Sequence, residues 1–148
     1  MRRHWWASRV VLATLAAGCD AAGNLPGLGT QVLSGTITGA AIEGLKVGIL
    51  KDVPFPEDLP KAEVVQVAAD GAFRYAIPTG VSNLTVFAFR DANGNGRYDA
   101  GEANSYSGCT ACSYLQVVRV GEQWTVQAVG GSGTQAQGLG SARIAFAG

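Results

Sequence analysis

Histidine is nearly absent from this 148-residue chain, with His4 the only one, and Met1 is the only methionine. Charge is scarce as well. Only 15% of the side chains are charged, and the 11 basic and 11 acidic ones cancel. A neutral chain is neither a basic nucleic-acid binder nor an acidic tail protein. No apolar run reaches the roughly twenty residues that a helix needs to cross a hydrocarbon core. Heptads, internal repeats and amphipathic helices are also missing, which argues against a bundle or a solenoid.

What the chain does contain points to a folded β protein. Its 47% hydrophobic residues supply enough apolar surface to offset the entropy of ordering, so disorder is not expected. Its 21 glycines suit a turn-rich architecture better than a helical one.

Arg2, Arg3 and Arg9 precede an apolar stretch over residues 10–18, followed by Cys19 and Asp20. That is the layout of a cleaved export signal. The segment Leu15-Ala16-Ala17-Gly18-Cys19 resembles the lipobox of bacterial lipoproteins. The resemblance implies cleavage before Cys19 and lipidation of that residue; an ordinary cleaved signal is the alternative. Acyl chains at about 0.8 kcal/mol per buried CH₂ would anchor the product to the membrane. Loss of residues 1–18 removes three arginines and His4 and no acidic residue, leaving a net acidic chain without imidazole. That composition excludes Ser-His-Asp and Cys-His nucleophiles and every His-ligated metal site.

Residues 19–30 carry three glycines and Pro26 without periodicity and are expected to be a flexible tether. From Gln31 onward the pattern becomes that of strands. Residues 32–38 alternate β-branched and small side chains, and Leu45, Val47 and Ile49 share one face of a second run. Pro54, Pro56 and Pro60 mark residues 52–61 as a loop or edge connection. Asp70-Gly71 between residues 64–69 and 73–77 predicts a hairpin, because this dipeptide accepts the positive φ of a two-residue turn. Residues 84–90 form another apolar strand, and Gly121-Glu122 predicts a second hairpin between 114–120 and 123–129. The Gly/Ser/Gln stretch over 130–141 is expected to be mobile, with a possible last strand over 143–147. The predicted fold is all-β, a single antiparallel sandwich of seven or eight strands over residues 31–129. Trp124, Phe73, Phe87 and Phe89 fall in strand patterns and are expected in its core.

Residues 91–102 match the pattern D-x-[DN]-x-[DN]-G-x5-E of a twelve-residue calcium loop at every specified place. Calcium takes six to eight oxygen ligands. The spacing offers the side chains of Asp91, Asn93 and Asn95, the backbone carbonyl of Arg97, Asp99 directly or through water, and bidentate Glu102. A strand before and a Gly/Ser loop after make this a staple in a β scaffold, not a helix-loop-helix switch. The alternative is a tight polar turn, which by itself would not call for Asp99 and Glu102.

With this loop in place the chain resembles extracellular prealbumin-like modules, including carboxypeptidase regulatory-like domains and the calcium-binding B-type repeats of bacterial surface proteins. The resemblance rests on Val32-Leu33-Ser34-Gly35-Thr36-Ile37, on Asp70-Gly71-Ala72-Phe73 and on residues 86–102. It implies a binding, spacer or stalk unit with a transthyretin-like fold. The internal Lys-Asn crosslink of some B-type modules is not implied, since no asparagine follows Asn104.

Cys109-Thr110-Ala111-Cys112 admits a short structural disulfide, a redox pair, free thiols or a zinc site. Export favours the disulfide. The expected protein is therefore non-catalytic, exported and lipid-anchored on the periplasmic or cell-surface face. It would hold calcium and contact an envelope protein or a glycan, not nucleic acid. The rivals are a carbohydrate-binding module with exposed aromatics and an enzyme, or its accessory subunit, using Asp52, Glu57 and Asp58 with a metal.

Overall fold

The structure, a computed structural model, describes residues 30–39, 41–53, 56–107, 109–131 and 133–148, without the side chains of Pro56 and Glu57. The expected export signal, Cys19 and nearly all of the expected tether lie outside the described residues. Among the described residues nine strands form two sheets: β1 (Gln31–Thr38), β2 (Leu45–Lys51), β3 (Glu63–Gln66), β4 (Ala72–Ile77), β5 (Asn83–Arg90), β6 (Ser113–Val120), β7 (Gln123–Gly130), β8 (Gln135–Gln137) and β9 (Ala142–Ala145). The order is β4-β1-β9 in the small sheet and β3-β2-β5-β6-β7-β8 in the large one. This is the all-β sandwich expected from the alternating patterns. Every pairing is antiparallel except that of β9, which runs parallel to β1.

Two apolar layers result. The inter-sheet core takes Leu33, Ile37, Phe73, Tyr75 and Ile144 from the small sheet, and Val47, Ile49, Val86, Leu115 and Val126 from the large one. A second layer covers the outer face of β2 and β5, where Leu50, Phe87 and Phe89 meet Leu59 and Tyr98. β5 is thus buried on both faces, so its sequence is a continuous apolar run with little alternation. Gly48 makes the outer layer possible, since a Cβ there would lie 2.4 Å from the Phe87 ring. Gly35 serves β9 in the same way, because its Cβ would stand 2.2 Å from the Ala142 carbonyl oxygen.

Several expectations change. The Asp70-Gly71 turn forms, with Gly71 at φ 85° and Ala68 N–H donating to Ala72 O. It does not join a hairpin: β3 pairs with β2 and β4 with β1, so the turn carries the chain from one sheet to the other. The proline-rich segment contains a 3-10 turn over Pro56–Lys61, whose Leu59 is buried in the outer layer. Part of the stretch expected to be mobile is strand β8, paired with β7. The Gln137 side chain accepts from Arg143 N and donates to Arg143 O, tying β8 to the edge of β9. The Gly121-Glu122 hairpin is as predicted, with Val120 facing Gln123.

Candidate functional site

The loop over residues 91–102 leaves the end of β5 and returns along it. Asp91, at its first place, is buried and serves as an acceptor for the turn that follows. Its Oδ1 accepts from Asn95 N at 3.1 Å and its Oδ2 from Gly96 N at 2.8 Å. Asn93 Oδ1 accepts from Asn95 N at 3.0 Å, and Asn95 Oδ1 from Arg97 N at 3.0 Å. These overlapping side-chain turns are what short Asx side chains do best, and they wind the segment without regular secondary structure. Gly94 and Gly96 hold φ of 71° and 80°, which the bends require.

At the far end Glu102 closes the ring. Its Oε1 accepts from Ala92 N at 2.8 Å and its Oε2 from Asp99 N at 3.0 Å, so one carboxylate joins the beginning of the loop to its ninth place. Asp99 receives the amides of both asparagines on Oδ2, from Asn93 Nδ2 at 2.7 Å and from Asn95 Nδ2. The Asn93 amide, then that of Asn95, with a smaller contribution from the Arg97 charge, holds the Asp99 carboxyl below its usual pKa. Arg97 is exposed and donates its backbone N–H to Asn95.

The loop is fixed to the sandwich by two residues outside the calcium pattern. Tyr98 is buried in the outer layer, edge-on to Phe87 and Phe89 with ring centroids 5.7 and 5.5 Å away. Asn104 is buried beside it. Its Nδ2 donates to the Tyr98 phenolic oxygen at 3.0 Å, and its Oδ1 accepts from Tyr106 N and Ser107 N. The returning backbone docks on β5 through Arg90 N to Ala103 O and Ser105 N to Ala88 O, while Ser105 Oγ accepts from Ala88 N. No motif flags Asn104. The only signal for Tyr98 is that it is the one aromatic residue inside an otherwise polar loop.

The side-chain donor set is carboxylate and amide oxygen, the chemistry that suits a hard cation such as calcium. In kind the residues fit. In arrangement, no three His, Cys, Asp or Glu side chains among the described residues stand together as a metal-binding group. Asp91 and Glu102 accept backbone N–H groups and Asp99 accepts side-chain amides, so N–H donors stand where a cation would supply positive charge.

The cysteines lie in the same connection. Cys109 and Cys112 are joined by a disulfide with Cα atoms 5.2 Å apart, and Cys112 is buried in the inter-sheet core. The carboxylates of the rival catalytic reading are dispersed in use. Asp52 Oδ1 accepts from Ser82 N and Asn83 N, and Asp58 pairs with Lys61 at 3.2 Å. Glu57's side chain lies outside the described residues. Among the aromatics, Phe73 belongs to the inter-sheet core, while Phe87 and Phe89 belong to the outer layer. Trp124 packs half-buried against the inter-sheet core; Tyr106 and Tyr114 pack on the outer side, their planes at 54°. These rings form no common plane. Among the described residues no helix is long and apolar enough to cross a membrane.

Compared with known proteins, the chain matches no family model, no curated protein and no solved structure.

Proposed function

We propose that this chain is a non-catalytic lipoprotein of the cell envelope, exported and held on a membrane through a lipidated Cys19. Its prealbumin-like β-sandwich acts as a binding or structural module toward an envelope protein or a glycan. Calcium staples the loop over residues 91–102, with Asp91, Asn93, Asn95, the Arg97 carbonyl, Asp99 and Glu102 as the residues that hold it. The anchor rests on the arginine-led apolar stretch and lipobox-like segment ahead of Cys19.

The observation that carries the staple is the closure of the loop by Glu102 across Ala92 and Asp99, together with the seating of Tyr98 in the aromatic layer. A segment tied at both ends and anchored in its middle starts from a fixed frame, so a cation that takes the place of the N–H donors on Asp91, Asp99 and Glu102 meets less of the ordering entropy that ligand binding must overcome. The Cys109–Cys112 disulfide belongs to the same connection and suits an oxidising compartment.

Fractionation of cells producing the full chain tests the anchor. The expected result is that the intact protein sediments with membranes and that Cys19→Ser is released or left unprocessed. A correctly trimmed Cys19→Ser protein that stays with the membranes would overturn it. Capture from membranes with the intact chain as bait would then report the partner class.

A further inference from the structure

We propose that Asn93 is a site of spontaneous modification, deamidating through a succinimide ahead of Asn95 and converting a neutral place in the loop into a carboxylate. The loop carries Asn93-Gly94 and Asn95-Gly96 in succession. Asparagine is chemically labile, and a following glycine, lacking Cβ, leaves its backbone nitrogen free to reach the side-chain carbon. Both asparagines and both glycines are exposed, and no heavy atom beyond the chain neighbours lies within 4 Å of where a Cβ would stand on either glycine. By sequence the two sites are equivalent.

The structure separates them at the attacking nitrogen. Gly96 N–H donates to Asp91 Oδ2 at 2.8 Å, and Asn95 N–H donates to Asp91 Oδ1 at 3.1 Å, so a buried carboxylate holds the amides on both sides of Asn95. Attack by Gly96 N would require that hydrogen bond to break. It would also require the nitrogen to lose its proton beside a carboxylate, which Coulomb repulsion opposes. Gly94 N–H has no acceptor among the described residues. The side-chain bonds of both asparagines, Asn93 to Asn95 N and Asp99 and Asn95 to Arg97 N and Asp99, are exposed, so the separation lies at the attacking nitrogen.

In the reaction Gly94 N attacks Asn93 Cγ and its proton passes to the departing amide nitrogen. Ammonia leaves and a five-membered succinimide remains. Water then adds to one of the two ring carbonyls and opens the ring, giving aspartate or isoaspartate. The net change is one water consumed and one ammonia released. The product removes the Asn93 Nδ2 donor from Asp99 and sets a second carboxylate against it, so the metal-free loop loosens. On the calcium reading proposed above, the aspartate form also gains ligand charge and tightens cation binding. The site of conversion does not depend on that reading.

The test uses the full chain in chelator at mildly alkaline pH, sampled over time by peptide mass and fragmentation, folded and in urea. In the folded protein Asn93 should convert several-fold faster than Asn95, and in urea the two rates should converge. Equal rates in the folded protein, faster conversion of Asn95, or no conversion at either site would overturn the proposal. Calorimetry of the parent and of Asn93→Asp with calcium examines the consequence: tighter binding by Asn93→Asp supports it and equal binding overturns it. Absence of binding by both forms overturns the calcium reading while the conversion rates still decide the site.

Discussion

Asn104 and Tyr98 meet in a buried hydrogen bond of 3.0 Å, amide to phenol, at the point where the loop over residues 91–102 turns back onto β5. The pair joins two kinds of restraint. Tyr98 contributes apolar burial against Phe87 and Phe89, and Asn104 satisfies the backbone of the returning chain at Tyr106 and Ser107. The polar loop therefore depends on the outer apolar layer for its shape.

Removing the hydrogen bond alone, and then the ring together with it, should give distinct losses. Tyr98→Phe keeps the ring and loses one hydrogen bond, an expected cost of about 1 kcal/mol. Tyr98→Ala empties a buried aromatic site and should cost about 3–5 kcal/mol. Denaturant melts of both variants check this; equal losses would show that the ring does not anchor the loop.

Gly48→Ala should destabilise the sandwich although alanine suits a strand better than glycine. Its Cβ would fall 2.4 Å from the Phe87 ring, which is itself held between Phe89 and Tyr98. Overpacking of this kind costs about 1–3 kcal/mol. A neutral or stabilising effect in the same melts would mean that the outer layer is loosely packed.

Tyr75 should set an alkaline limit on stability. Burial, then its hydrogen bond to Glu63 at 2.9 Å, then the Glu63 charge push its pKa well above the ordinary 10.0. The neutral phenol is thus favoured in the folded state. Its stabilisation is fully present below pH 10 and is lost as pH rises toward the native value, where the unfolded chain ionises first. Melting temperature against pH should fall above about pH 10 in the parent and fall less steeply in Tyr75→Phe.

The disulfide gives a direct chemical readout. Protein isolated without reductant should leave Cys109 and Cys112 unalkylated, and reduction should expose both. Two reactive thiols in unreduced protein would show that the pair is not closed in the native compartment.

The sandwich was legible in the sequence because most of its strands alternate or run apolar, as with Leu45, Val47 and Ile49 on the inner face of β2. Partnership between strands was not. Asp70-Gly71 dictates a turn, but a turn does not state whether the strands beyond it stay in one sheet, and here they part. Strand β8 escaped notice because Gln135–Gln137 has no apolar face; it is held by β7 and by the Gln137 side chain on β9. In the loop, places 1, 3, 5, 9 and 12 were legible from spacing, since each acts inside the same twelve-residue segment. Asn104 was not, because its role depends on Tyr98 arriving beside it from within the loop.

The measurement that bears most directly on the calcium-stapled loop is a set of thermal melts and calorimetric titrations of the full chain in calcium, in magnesium and in chelator, with Glu102→Ala alongside. Two asparagines at places that often carry carboxylates put the expected affinity in the weak extracellular range, about 10⁻⁴ to 10⁻³ M. Calcium at tenfold its dissociation constant should then add about 1.4 kcal/mol of stability through mass action. Magnesium should substitute poorly, because it demands a tighter shell and sheds water reluctantly. The parent should melt at a higher temperature in calcium, and Glu102→Ala should show no such rise. Identical melts in saturating calcium and in chelator would contradict this and leave residues 91–102 a polar turn held by its own hydrogen bonds.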